Sequence, residues 1–182
     1  MTRISALPEE TAPTSTDSIP MLDVETMTTK RTTIAKLQPM DNPYKFSVYR
    51  SSAQNTGNGA YAKIQFNSEY FDTNSNFDSS TNYRYTAPVS GFYQFNASFS
   101  CTTGASETLI ITLFKNGSEY DRGQRLVHTT AGIAQLLYSN MIQLTAGDYV
   151  EIYSYASGGA RVMEVGANTP HPIFSGFLVS RT

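Results

Sequence analysis

Histidine and cysteine, the residues that most often supply bases, nucleophiles and zinc ligands, are scarce in this sequence. Its 182 residues include two histidines, His128 and His171, and one cysteine, Cys101. The histidines fall in different predicted loops, and neither belongs to a cluster spaced to bind a metal ion. Cys101 ends the apolar face of a predicted strand, which is typical of a small buried hydrophobic residue. Because the sequence also lacks a Gly-x-Ser-x-Gly motif and a phosphate-binding loop, we predict no catalytic site, no cofactor and no enzymatic activity.

Three aspartates in predicted loops, Asp72, Asp78 and Asp121, are the remaining candidates for a metal site. Carboxylate oxygens are preferred ligands of Ca²⁺, so calcium binding is one interpretation of these residues. Their spacing fits no calcium-binding loop, however. We therefore predict no metal site and interpret the three side chains as solvated turn residues.

Aromatic residues divide the chain into two parts. All 22 of them (12 Tyr and 10 Phe) lie at or after Tyr44, whereas residues 1–40 contain none and carry nine threonines and four prolines. A segment without large apolar side chains cannot bury enough surface to fold alone. The composition predicts an extended N-terminal arm over residues 1–40 and one domain over residues 41–182.

The charge and hydropathy of the chain exclude several classes of partner. The formal net charge is −2, with 15% charged residues and no basic run beyond Lys30-Arg31, so we expect no nucleic-acid binding. No segment approaches 18 consecutive apolar residues, and the N-terminus lacks the apolar region of a signal peptide. We expect cytoplasmic synthesis, no membrane insertion and no export by a signal peptide.

From Tyr44 onward, apolar residues recur at every second position between polar turns, which is the pattern of β-strands. The clearest strand covers residues 91–101, where the odd-numbered positions from Tyr93 to Cys101 are apolar and the intervening ones are polar. Asn116-Gly117 follows an apolar run at 108–114 and favours a hairpin turn. Further strands are predicted at 46–50, 62–66, 133–144, 149–156 and 173–180, with a long surface connection at 69–83 that contains short extended pieces. The pattern predicts an all-β sandwich.

Two of these strands are apolar on both faces, although a sandwich strand needs only one buried face. The second face indicates burial against another subunit, an environment in which tyrosine is common. The predicted interface residues are Tyr149, Tyr153, Tyr155, Ile110, Phe114 and Phe177. Alternatively, the tyrosines cover the sheet with their hydroxyl groups in water.

Four motifs in sequence order carry a family signature. They are Phe71-Asp72 and Phe77-Asp78 with the run from Tyr85 through Ala87-Pro88 and Gly91 to Phe95, then Asn116-Gly117, then Leu144-Thr-Ala-Gly147-Asp148-Tyr-Val150-Glu-Ile152, and finally Phe174-Ser-Gly176-Phe177-Leu178. Together they span residues 44–180 and closely resemble the C1q-like family.

The resemblance implies a ten-stranded C1q/TNF-like jelly-roll sandwich that assembles as a homotrimer. The residues that would carry this fold are Tyr85, Pro88, Gly91, Tyr93, Phe95, Phe99, Gly147, Asp148, Phe174 and Gly176. Gly91 and Gly176 are interpreted as positions where backbone geometry or close packing excludes a side chain. The sequence departs from animal members of the family in lacking a Gly-X-Y collagen stalk and a secretory signal.

The arm has a resemblance of its own. It contains an Ile-Ser-x-Leu-Pro opening, an apolar-Pro-apolar segment and a Thr-Lys-Arg-Thr-Thr ending, as do the N-terminal segments of many tailed-bacteriophage virion proteins. The residues that would anchor it to a particle are Ile4, Leu7, Ile19, Leu22, Lys30, Arg31, Ile34 and Leu37. A disordered Thr/Pro linker is the alternative.

These observations lead to three functional hypotheses. The first is a bacteriophage virion surface protein, a trimeric knob attached to a capsid or tail protein by its arm, as a capsid decoration, head fibre or tail-fibre tip. The second is an adhesin that binds a glycan or protein on the bacterial host surface. The third is a non-viral ligand-binding or lectin-like module of bacterial origin. The first hypothesis places the protein in the virion.

Overall fold

The computed structural model of the chain describes residues 18–23, 28–33, 42–165 and 172–182. It divides into two units, Met1–Asn42 and Pro43–Thr182. The predicted limits of the arm and the domain, 1–40 and 41–182, lie two residues from this division.

The described part of the N-terminal unit is a β-hairpin. Strand β1 (Ser18–Asp23) pairs antiparallel with β2 (Thr28–Thr33), with Ser18 opposite Thr33 and Asp23 opposite Thr28. Among the described strands, these two pair only with each other. An isolated hairpin of two strands, with no third strand and no other element packed against it, is marginally stable in water.

Strands make up nearly all the regular structure of the C-terminal unit. They are β3 (Lys45–Tyr49), β4 (Ala62–Lys63), β5 (Ser68–Asp72), β6 (Phe77–Asp78), β7 (Arg84–Thr86), β8 (Gly91–Thr103), β9 (Glu107–Lys115), β10 (Ser118–His128), β11 (Gly132–Leu144), β12 (Tyr149–Ala156) and β13 (Ile173–Arg181). No helix in the described part of the chain is long and apolar enough to cross a lipid bilayer.

The strands form two antiparallel sheets. The five-stranded sheet has the order β11-β8-β13-β3-β5, and the six-stranded sheet has the order β10-β9-β12-β7-β6, with β4 also paired to β12. Sequence neighbours are often separated by strands from elsewhere in the chain, as expected for a jelly roll. The predicted all-β jelly-roll sandwich is confirmed. The described residues of the domain form eleven strand segments where ten were expected, and two of them, β4 and β6, are only two residues long.

The core lies between the two sheets and follows the alternation seen in the sequence. Tyr93, Phe95, Ala97, Phe99 and Cys101 of β8 are all buried, as predicted. The largest fully buried side chains of the core are Tyr85, Tyr93, Phe46, Phe66, Phe95, Phe99, Phe174, Ile64, Leu109, Ile111, Leu113 and Leu136.

The local sequence predicts the turn between β9 and β10 but not the strand that follows the turn. Asn116 and Gly117 both have positive φ values, 52° and 79°, between β9 and β10, which is the geometry of the predicted two-residue turn. Strand β10 itself was not predicted. It lies at the edge of its sheet, none of its residues is buried, and its pairing with β9 shifts register twice.

Candidate subunit interface and ligand groove

The aromatic residues of the family signature form the centre of the core. Tyr85, Phe95 and Phe174 surround the ring of Phe46, with ring centroids 4.6, 6.3 and 5.0 Å from its centroid. The hydroxyl of Tyr93 donates a hydrogen bond to the carbonyl of Val89 at 2.7 Å. These residues have a structural role. The remaining aromatic of the signature, Phe99, is also fully buried.

Two signature glycines lie where the backbone of one strand approaches its neighbours closely. A Cβ atom on Gly176 would lie 2.5 Å from Cδ1 of Phe95 and 2.9 Å from the carbonyl of Gln94. A Cβ atom on Gly91 would lie 2.4 Å from the carbonyl of Ser180. Close packing therefore excludes a side chain at both positions. Pro88 lies between β7 and β8, just before Gly91.

Gly147 and Asp148 join two turns at one end of the sandwich. Gly147 has a φ of 91°, which side chains rarely permit. One oxygen of Asp148 accepts a hydrogen bond from the Asn116 amide at 2.8 Å, and the other accepts one from the backbone N–H of Thr145 at 2.9 Å. The ammonium of Lys115 lies 3.0 Å from the same carboxylate. The bond from Asn116, followed by that from Thr145, lowers the pKa of Asp148 to about 2.

The predicted interface residues do not lie on one surface. Five of the six, Tyr149, Tyr153, Tyr155, Ile110 and Phe114, are on β9 and β12 in the six-stranded sheet, whereas Phe177 is on β13 in the five-stranded sheet. Of these residues, only Phe177 is exposed, at 44%.

The chain itself covers the apolar outer side of β9 and β12. The ring of Phe114 stacks on that of Tyr153 with centroids 4.0 Å apart. Tyr61, in the connection before β4, contacts Phe114 edge-on at 5.5 Å and Tyr155 at 5.6 Å. Burial raises the pKa of Tyr153 to about 12. The second apolar face from which the interface was inferred is therefore partly covered within one subunit, with Phe114, Tyr153 and Tyr155 half-buried.

The ends of this face are covered in the same way. The guanidinium of Arg84 lies 4.1 Å from the centre of the Tyr149 ring. Ile110 is only 7% exposed and lies opposite Tyr155 in the pairing of β9 with β12. These two side chains therefore already have packing partners within the chain.

Exposed apolar side chains are instead concentrated on the outer side of the five-stranded sheet. We call this surface the apolar face, and it comprises Phe71, Phe92, Ile133, Leu137, Met141 and Phe177. Strand pairing places Met141, Gln94 and Phe177 in one row across β11, β8 and β13. Leu137 is 56% and Met141 is 52% exposed. Exposed apolar side chains that are grouped on one face of a sheet mark an interaction site more often than isolated apolar residues do.

A polar network lies within the apolar face. The Ser139 hydroxyl donates a hydrogen bond to the side-chain carbonyl of Asn96 at 2.8 Å, and the Gln94 amide donates to Ser139 at 3.2 Å. Because these groups form hydrogen bonds with one another, a partner that covered the face would leave few buried polar atoms without a hydrogen bond.

Cys101 and His128 both make contacts within the fold. Cys101 is fully buried, and this burial raises its pKa to about 12, so the thiol is poorly suited to act as a nucleophile. Nδ1 of His128 lies 3.5 Å from the Thr103 hydroxyl. His171 lies outside the described residues.

The three aspartates predicted to lie in loops are strand residues instead: Asp72 ends β5, Asp78 ends β6 and Asp121 lies in β10. Each accepts hydrogen bonds from nearby groups. Asp72 accepts from the backbone N–H of Phe77 at 2.7 Å. Asp78 accepts from the backbone N–H groups of Thr81 and Ser80, which hold its pKa well below the usual range. Asp121 of β10 accepts from the Tyr138 hydroxyl of β11. The described residues contain no group of three or more His, Cys, Asp or Glu side chains arranged to hold a metal ion.

Half of the predicted anchoring residues can be located in the N-terminal hairpin. Ile19 and Leu22 of β1 pair with Thr32 and Thr29 of β2. Lys30 and Arg31 pair with Met21 and Pro20 in the same hairpin. The other four, Ile4, Leu7, Ile34 and Leu37, lie outside the described residues.

Residues 45–179 match the sequence profile of the C1q domain. The chain belongs to the C1q domain family. Among solved structures, this C1q domain is similar to the globular domain of zebrafish complement 1qA protein, with 22% sequence identity and a TM-score of 0.57. The match covers 76% of this chain and 98% of the zebrafish chain. No curated protein sequence matches the chain.

Two further solved structures share the fold at lower identity. Eiger TNF from S. frugiperda is 7% identical with a TM-score of 0.55, and the match covers 76% of this chain and 93% of that one. Murine APRIL is 6% identical with a TM-score of 0.53, over 74% and 98% of the two chains. C1q/TNF-like domains are non-enzymatic ligand-binding modules that are typically homotrimeric.

Proposed function

We propose that this protein is a non-enzymatic bacteriophage virion surface protein. In this proposal, three copies assemble into a C1q-like knob, and their N-terminal arms attach the knob to a capsid or tail protein of the particle. The protein is made in the bacterial cytoplasm and is incorporated into the virion there. A knob attached in this way could be a capsid decoration, a head fibre or the tip of a tail fibre.

The apolar face is the observation that most directly supports assembly as a trimer. Its six side chains are 38–65% exposed in one subunit. Covering the exposed part of each would contribute about half of the roughly 1.5–3 kcal/mol that burial of a fully exposed side chain provides. The outer side of the six-stranded sheet offers less to a partner, because Tyr61 already packs against its aromatic residues. We therefore assign the subunit contact to the face that contains Phe177, Leu137 and Met141.

The N-terminal unit supports attachment by the arm. Its β1–β2 hairpin has two edges that pair with no other described strand. A free strand edge can add to a preformed sheet of another protein, and the cost of ordering the chain then falls on binding. The sequence of residues 4–37 also resembles the N-terminal segments of tailed-bacteriophage virion proteins, and this resemblance supports a particle as the partner.

Light scattering on the purified full-length protein tests the assembly. We expect a mass three times that of the 20.0 kDa chain at micromolar concentration. A monomeric mass under these conditions would contradict the trimeric knob.

A host-binding adhesin or lectin-like module is the second candidate function, and it is compatible with a position at a fibre tip. One observation favours it: a groove on the outer side of the six-stranded sheet is lined by arginine, tyrosine and hydroxyl side chains. Such a groove has no evident role in assembly through the apolar face, because the two surfaces belong to different sheets.

A further inference from the structure

The groove occupies about 340 Å³ near one end of β9 and β10. Its floor and two sides come from one row of paired residues, Arg125 of β10, Ile110 of β9 and Tyr155 of β12. Tyr61, Thr108, Arg122 and Ser157 complete the lining, and we call this site the Arg125 groove. A space of this size matches small-ligand sites in proteins.

The two arginines of the groove differ in their pairing. Arg122 forms an ion pair with Glu119, three residues before it in β10. Arg125 forms no ion pair with any described residue, and its contact is a 3.5 Å hydrogen bond to the Thr108 hydroxyl. The groove therefore has an excess positive charge, with guanidinium donors left for a ligand. A planar guanidinium binds a carboxylate with two parallel hydrogen bonds.

The aromatic wall is held in position before any ligand arrives. The Tyr61 hydroxyl donates to Glu119 at 3.2 Å, and its ring packs edge-on against Phe114. The Tyr155 ring lies 5.6 Å from that of Tyr61, at an angle of 56°. A ring surface that is already ordered loses little conformational entropy on binding, which favours affinity.

Hydroxyl groups line the remaining wall of the groove. The backbone N–H of Thr108 donates to the Ser157 hydroxyl oxygen at 2.9 Å, which fixes that side chain and leaves its hydrogen available to a ligand. Tyr155 and Thr108 add two further hydroxyl groups. The groove thus combines one unpaired cation, aromatic rings and several hydroxyls.

We infer that the Arg125 groove binds a carboxylate-bearing saccharide unit of the uronic acid type. Arg125 binds the carboxylate, the Tyr61 and Tyr155 rings contact the apolar side of the sugar ring, and the Thr108 and Ser157 hydroxyls bond to the sugar hydroxyls. The inference rests on the second, ligand-binding candidate function and is independent of the arm. In a trimer assembled through the apolar face, three grooves remain open, so an acidic polysaccharide gains avidity over a single sugar.

Binding to the full-length protein is measured by isothermal titration calorimetry with trigalacturonate as the probe. The neutral galactose trisaccharide tests the need for the carboxylate, and we expect it to bind at least about tenfold more weakly. Sodium acetate, inorganic phosphate and hexaglutamate, tested as competitors, distinguish the saccharide from a simple anion and from an acidic peptide.

Three variants test the residues. We expect Arg125→Ala to weaken trigalacturonate binding at least about tenfold. Arg125→Lys should lose only part of the affinity, because lysine keeps the positive charge but lacks the two parallel N–H donors of the guanidinium. Arg84→Ala is the matched control, since it removes the same charge from β7 of the same sheet but outside the groove. It should bind as the unchanged protein does. Circular dichroism melts establish that each variant is folded.

Any of four results would overturn the inference. Acetate or phosphate could compete as well as trigalacturonate, which would mean a general anion site. Hexaglutamate could bind more tightly, which would mean an acidic peptide partner. Arg125→Ala and Arg84→Ala could behave alike, or the protein could bind no trigalacturonate. If the trimeric mass is retained in these cases, only the inference about the groove is wrong and the virion proposal is unaffected.

Discussion

At the scale of single residues, Gly176 and Gly132 provide a matched pair within strands. A Cβ atom on Gly176 would lie 2.5 Å from the Phe95 ring, which is itself fully buried and cannot move aside, whereas at Gly132 the nearest atom would be 3.9 Å away. We expect Gly176→Ala to lower the free energy of unfolding by about 1–3 kcal/mol and Gly176→Val to lower it further. Thermal denaturation followed by circular dichroism measures the change. Equal melting of Gly176→Ala and Gly132→Ala would contradict the close packing of β13 on β8.

Asp148 provides a pH-dependent prediction. Its pKa is lowered from 3.8 to about 2 in the folded protein, so it stabilises the fold above pH 4 and this contribution disappears as the pH falls from about 4 to 2. Asp148→Asn should be less stable than the unchanged protein by about 1–2 kcal/mol at pH 7. Urea denaturation of both proteins between pH 7 and pH 2 tests this. The difference should shrink below pH 4, and a difference that grew on acidification would show that the sign is wrong.

At the scale of elements, β11 tests which sheet forms the subunit contact. Leu137→Lys with Met141→Lys adds two charges to the apolar face, and we expect the trimer to weaken by at least about 2 kcal/mol. Val127→Lys is the control, because Val127 is equally exposed, at 60%, but lies on β10 of the other sheet. Sedimentation velocity reports the assembly state of each variant.

The alternative interface is distinguished by Tyr153→Ser. Because Tyr153 stacks on Phe114 within one subunit, its loss should lower the melting temperature more than it weakens assembly. If Tyr153→Ser dissociates the trimer while the β11 variant remains trimeric, the contact lies on the six-stranded sheet, as the sequence alone had indicated.

The strands show which features a sequence reveals. The alternation in β8 and the Asn116-Gly117 turn were predictable because both are local, and the buried odd-numbered positions of β8 agree with the prediction. Strand β10 was missed because it is an edge strand whose exposed positions impose no apolar period. The sequence predicted a subunit contact on the apolar outer side of β9 and β12, and no local pattern could indicate that Tyr61, distant in sequence, packs against this side.

At the scale of the whole molecule, we expect the two units of the chain to have different roles: the C-terminal unit forms the trimer and the N-terminal unit attaches it to the particle. The C-terminal unit has a core of its own, and we expect it to trimerise without residues 1–37. The arm lacks aromatic residues, so removing it should leave the melting temperature nearly unchanged. Three arms on one trimer raise the effective affinity for a particle far above that of one arm.

The most direct test of the virion proposal is co-sedimentation with particles that lack this protein. Full-length protein and a variant without residues 1–37 are added separately to such particles, and the pelleted protein is measured. Light scattering first establishes that both proteins have the same assembly state. We expect the full-length protein to pellet with the particles and the truncated protein to remain in the supernatant. Equal pelleting of both would show that the C1q domain itself holds the particle, and failure of both to pellet would contradict a place for this protein on the virion.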